Sequence, residues 1–327
     1  LNALLEQARS VVQDCYLVHA GALTGYRTAS TAADLEQARV ALGVAHLSAI
    51  GVGDGATALS LWARTHPRAA GRLVLDGPPD PALDEPDAGE ARAAAAESAF
   101  DAFAAACAAA PDCPLGADPR AVVASIVDRL RGQPITSADG RRLTAGMTVT
   151  ALLAGLGEPG GWPDLARAIG EVNGGSPDAL LGRLVPLLTK GGGFDVALAT
   201  ACNDVRRRMT PAEVADLAGR WRVGYPLFGP TMAQRLLACG PWPPATGALP
   251  ADPAAGLPPM LVIGTAHDPR SPLEGPRRVA ASTPGALFLS WQGAGTGAYP
   301  RTPCVTAAVD ALLVDGAPPA DGTLCPP

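Results

Sequence analysis

The sequence predicts an α/β protein with a mainly parallel sheet and a large helical insertion. Two observations carry that prediction. Residues 46–52 form a short apolar run that enters the turn Gly51-Val52-Gly53-Asp54-Gly55. A helical pattern follows over 56–65 and leads to a second apolar run at 72–76. Strand, turn, helix and strand in that order mark parallel strands joined by a crossover helix. The second observation is a change of character. Helical periodicity dominates from about Pro79 to Ala245, and strand-length apolar runs return only at 259–264 and 286–291.

Each element has its own signal. Residues 1–15 read as a helix, with Leu1, Leu4, Leu5, Ala8, Val11 and Val12 on one face. Residues 31–42 read as a second helix, opened by Thr31 with Asp34 three residues on and stopped by Gly43. The helix at 56–65 stops before Pro67, and the strand at 72–76 ends in Gly77-Pro78-Pro79. Helical patterns then cover 89–110, 119–132, 143–156, 163–172, 177–189 and 211–221. The Pro/Ala/Gly-rich stretch 241–259 returns the chain to the sheet, and 304–314 reads as a closing helix. The expected division is 1–78 for the first part of the core, 79–245 for a helical cap and 246–327 for the rest of the core.

Composition narrows the function classes. Among 327 residues 48% are hydrophobic and 17% charged, which excludes a disordered chain. The net charge of −6 disfavours nucleic acid as a partner. No apolar run reaches the roughly 18 residues that a membrane span needs. The chain opens at Leu1 with neither Met nor a signal peptide, which reads as a processed N-terminus or a fragment.

Seven cysteines stand at 15, 107, 113, 202, 239, 304 and 325, with no C-x-x-C, and the four histidines show no zinc-ligand spacing. No metal and no cofactor are expected. Cys107 and Cys113 bracket a short turn, and Cys304 and Cys325 bracket the C-terminal segment. Both pairs read as loop staples of a protein outside the reducing cytoplasm. The competing reading is a set of free buried thiols in a cytosolic protein.

The turn after the first strand has the G-x-S-x-G outline of a nucleophile elbow, with Gly53 where the nucleophile would stand. Around it lie Asp34-Leu35, Arg39, Ala41-Leu42-Gly43, His66-Pro67 and Leu75-Asp76-Gly77. Further on come residues 199–204, Cys239-Gly240-Pro241-Trp242-Pro243, residues 259–264, Asp268-Pro269, Ser271-Pro272 and the Gly-rich turn 293–297. In this order they resemble the tripeptidyl-aminopeptidase-like (TAP-like, peptidase S33-type) branch of the α/β-hydrolases, a secreted actinobacterial group. The resemblance spans almost the whole chain. It implies an α/β-hydrolase fold with a helical cap.

It also implies a Ser, Asp and His triad. Carried over, the acid falls on Asp268, the nucleophile on Gly53 and the base on Thr296, so two of three members are replaced. A triad needs a hydroxyl or thiol, a base within reach and an orienting acid. Glycine at the elbow also relieves the backbone strain that a serine would bear there. The expectation is therefore a catalytically inactive homologue that binds or scaffolds at the cell envelope. The alternative is a working exported peptidase or esterase with a non-standard site around Asp54, His267 and Asp268. A purely structural envelope subunit is a third. Plainer readings exist too: Asp54 as a carboxylate favoured by a helix N-terminus, His267 as a loop residue, Asp268 as a leftover acid.

The early strands and oxyanion loop of the family have no match here. A segment outside this sequence, or a partner chain, is expected to complete the sheet. Pairing Cys107–Cys113, Cys202–Cys239 and Cys304–Cys325 leaves Cys15 for that piece. Envelope protein, peptide or lipid are the other expected partners, with an extracytoplasmic, secreted or lipid-anchored location.

Overall fold

The computed structural model describes residues 1–189, 193–243 and 256–327. Among the described residues five strands make one parallel sheet. They are β1 (Leu47–Val52), β2 (Ala70–Asp76), β5 (Met260–His267), β6 (Leu287–Ala294) and β7 (Thr323–Cys325), hydrogen-bonded in that order. Between β2 and β5 the only strands among the described residues are two of two residues each, the antiparallel hairpin β3 (Ile135–Thr136) and β4 (Arg142–Leu143).

Near-continuous apolar strands follow from burial on both faces. Successive side chains of a strand alternate between faces, and the core divides accordingly. Leu73, Leu75, Met260 and Val262 pack on one side with Leu59 and Trp62 of α3 (Asp54–Thr65) and Val279 of α12 (Glu274–Ser282). Val74, Leu261 and Ile263 pack on the other side with Val305 and Val309 of α13 (Pro303–Asp310). Helix α1 (Asn2–His19) runs four residues beyond the predicted end. Leu4, Leu5, Ala8 and Val12 are half-buried, whereas Leu1 and Val11, expected on the same face, are exposed.

Helix α2 (Thr28–Ala41) corrects another expectation. Its N-cap is Arg27, and Thr31 lies inside the first turn, its hydroxyl donating to the Arg27 carbonyl. The orphan amide of Thr28 donates to the carboxylate of Asp204 at 2.9 Å, so a distant residue caps the helix. Gly43, at φ 68°, does follow the last turn.

The insertion carries α4 (Glu85–Ala109), α5 (Pro119–Gly132), α6 (Ala145–Leu156), α7 (Trp162–Asn173), α8 (Asp178–Thr189), α9 (Gly193–Asp204), α10 (Pro211–Gly224) and α11 (Gly229–Arg235). Phe100, Phe103, Leu130, Leu152 and Phe228 anchor its own core. Residues 190–192 and 244–255, with the expected boundary at 245, lie outside the described residues.

Disulfides join Cys107–Cys113, Cys202–Cys239 and Cys304–Cys325, and Cys15 is unpaired. The second explains two of the sequence motifs. Asn203, beside Cys202, donates to the carbonyls of Leu23 and Tyr26 and accepts the Trp242 indole N–H at 2.8 Å. Residues 199–204 and 239–243 thus staple the end of the insertion to the segment before α2. No helix among the described residues is long and apolar enough to cross a membrane.

Candidate active site

The C-terminal ends of β1, β2, β5 and β6 meet at one edge of the sheet. The turn after β1 is drawn tight: Gly53 lies at φ 55°, ψ −121°, and its amide donates to the Asp76 carbonyl at 2.9 Å. That positive φ favours glycine. Gly51 is required for another reason. A Cβ there would stand 2.7 Å from the Ala56 Cα, because strand and helix nearly touch. At Gly53 a Cβ would meet nothing within 4 Å. The elbow is therefore formed, and its central position faces open space without a hydroxyl.

Asp268, just past β5, is 3% exposed. Its Oδ1 accepts from the amides of Arg270 and Ser271 and from the Thr296 hydroxyl at 2.8 Å. Burial pushes its carboxyl above the usual range, and those donors oppose the shift. The positions carried over as acid and base are thus brought together. The pair is packed in from the insertion as well, since the Thr296 amide donates to the Gly157 carbonyl.

Asp54 and His267 are not joined. Asp54 is exposed on the first turn of α3, and its carboxylate has no hydrogen bond or ion pair among the described residues. His267 is half-buried, and its Nδ1 lies 2.8 Å from the hydroxyl of Ser98 on α4. His66 lies at the far end of α3. Among the described residues no group of His, Cys, Asp and Glu is arranged to hold a metal ion.

Two residues here have no role assigned from the sequence, although one, Asp76, stands in a motif of the resemblance. Asp76, at the end of β2, is fully buried. Its Oδ2 accepts the amides of Ala298 and Tyr299, while Oδ1 has no partner. Burial raises its carboxyl to about 6. An acidic residue ending an apolar strand is the signal that could have singled it out. Ser98 gave no signal, being a serine in an alanine-rich helix 169 residues from His267. It lines a recess of about 320 Å³ between α4 and the loop after β5, with Ala91, Ala94, Ala95, Pro272 and Leu273. Asp268 and Glu274 lie on the same wall.

The α/β hydrolase fold model matches residues 10–154, and the TAP-like protein model matches 225–325. Serine protease Hip1 of Mycobacterium tuberculosis is 29% identical over 330 residues, covering 95% of this chain and 62% of the relative. Carboxylesterase B of the same organism is 30% identical over 282 residues, covering 80% of this chain and 53% of the relative. The chain thus spans about three fifths, or less, of the length of these relatives. The likeness to a protein named as a serine protease, over nearly the whole chain, overturns the expectation of an inactive binding or scaffolding homologue and favours a working hydrolase. With both models matched in order around one parallel sheet, the chain belongs to the TAP-like branch of the α/β-hydrolase superfamily.

Proposed function

We propose that this protein hydrolyses acyl substrates, peptides or esters, with a non-standard site at the C-terminal edge of the sheet. The observation that carries the reading is the end of β5. There His267 and Asp268 stand side by side, the ring on a serine hydroxyl and the carboxylate buried among donors, beside an apolar recess. A base within reach of a hydroxyl, and a carboxylate kept in low dielectric, are the groups that acyl transfer uses. Asp54, exposed at the start of α3, is the remaining candidate at the elbow. The names of the two relatives, a serine protease and a carboxylesterase, support the substrate class.

Three disulfides support work outside the reducing cytoplasm, secreted or at the cell envelope, with or without a lipid anchor. Among the described residues strand β1 has β2 as its one neighbour in the sheet. A further segment of the protein, or a partner chain, pairing along its open side completes the reading, with Cys15 as the thiol available to it.

The test is turnover of an activated acyl ester and of an N-terminal tripeptide substrate by the full-length protein, with Asp54→Asn and Asp268→Asn beside it. Hydrolysis above buffer that falls tenfold or more in either folded variant supports the reading. No turnover above buffer, with all three proteins folded, overturns it.

A further inference from the structure

Resting on that reading, we infer that Ser98 is the nucleophile of this protein and His267 its general base, acting on an ester or peptide whose small apolar acyl group fills the recess beneath α4.

Ser98 comes from the insertion and His267 from the end of β5, so the pair forms only where the two parts of the chain meet. Their 2.8 Å contact is within the range that nucleophile and base require. Both residues are half-buried, which leaves the hydroxyl open to a substrate and shields it from bulk water. The recess beside Ser98 is largely apolar, formed by alanines one turn apart on α4 and by Pro272 and Leu273 opposite, with the acidic residues Asp268 and Glu274 also lining it. It offers a short acyl chain or one apolar side chain a place to lie with its carbonyl at the hydroxyl. Gly53 supplies no competing hydroxyl at the elbow.

The chemistry closes on these two groups and water. Ser98 Oγ attacks the acyl carbonyl carbon, and its proton passes to His267 Nδ1. The tetrahedral adduct collapses, the bond to the alcohol or amine breaks, and the leaving group takes the proton from Nδ1. Water then attacks the acyl-serine, gives a proton to Nδ1, and Ser98 leaves with that proton as the acid is released.

Helix α4 holds the serine firmly. The preceding residue, Glu97, is 8% exposed, and its Oε1 accepts the amides of Leu227 at 2.8 Å and Phe228 at 3.1 Å. Its Oε2 accepts Arg120 at 2.6 Å.

The experiment labels the full-length protein with an alkyl fluorophosphonate, maps the adduct by peptide mass spectrometry and follows p-nitrophenyl butyrate turnover. Ser98→Ala and His267→Gln run beside it. Label on Ser98, loss of turnover in Ser98→Ala, and a fall of about 10²-fold or more in His267→Gln are the expected results. The wild-type label needs no variant to fold. Turnover that survives in Ser98→Ala, or label on another residue, overturns the assignment and leaves the hydrolase reading standing. Neither turnover nor label in the wild type overturns both.

Discussion

The hydroxyl of Thr296 donates a 2.8 Å hydrogen bond to Oδ1 of Asp268, across the gap between the ends of β6 and β5. Threonine stands where the family pattern has its base, and here it serves to keep a buried carboxylate charged. Thr296→Val keeps the shape and removes the donor. Asp268, already raised by burial, rises further. The cost falls on the charged form, so it is present near pH 7 and vanishes once acid protonates the group. A loss of about 1.5–3 kcal/mol is expected at pH 7, shrinking toward pH 4. Urea unfolding at the two pH values checks it, and an equal loss at both would contradict it.

Asp76 works in the opposite sense to a stabilising carboxylate. Unfolded, it loses its proton near the ordinary value of roughly 3.9; folded, it holds it to about 6. Between those values the folded state binds more protons than the unfolded one. Stability therefore falls as pH rises through that window, by about 3 kcal/mol in all. Asp76→Asn still accepts the amides of Ala298 and Tyr299 and has no charge to desolvate. Its stability, relative to wild type, should rise between pH 4 and pH 8 by about that amount. Parallel curves of stability against pH would refute the burial account.

Glu97 closes three donors inside the insertion, two backbone amides and Arg120. Glu97→Ala leaves the two amides without their acceptor, while Arg120 keeps its pair with Asp101, and should cost about 2–4 kcal/mol. Glu97→Gln keeps an acceptor for the amides and should cost less. Denaturant midpoints of the two variants settle the order.

Two glycines of the elbow should fail for different reasons. Gly51→Ala forces a Cβ onto backbone atoms of α3 and belongs at or above the roughly 1–3 kcal/mol of overpacking. Gly53→Ser has space but the wrong φ, and should cost about 1–3 kcal/mol of backbone strain. It should bring no gain in ester turnover, since no histidine stands at the base position, 296. Calorimetry and an ester assay read both, and a Gly53→Ser enzyme faster than wild type would contradict the placement of the chemistry at Ser98.

The parts of the fold set by local pattern were legible. Strands β1, β2, β5 and β6 lie within three residues of the expected bounds at either end, because each is a short apolar run, in β2 and β5 through burial on both faces. The start of α2 was not, because its cap is the carboxylate of Asp204 and not a neighbour in sequence. Strand β7 is three residues long, with Leu324 exposed and Cys325 tied to Cys304, so no run of apolar residues announces it. Helices α9 and α11 begin at glycines that read as breaks. The elbow and Asp268 were found through motif order. The Ser98–His267 contact depends on how the insertion sits on the sheet, which no local pattern encodes.

That seating has a mechanical consequence. Glu97 and Ser98 are consecutive in one helix, one gripping the chain between α10 and α11, the other touching the ring at the end of β5. A helix transmits displacement as a rod. Any swing of the insertion that widened the entrance to the recess would draw the serine hydroxyl off the imidazole by the same lever. Admission and reactivity are opposed strokes of α4.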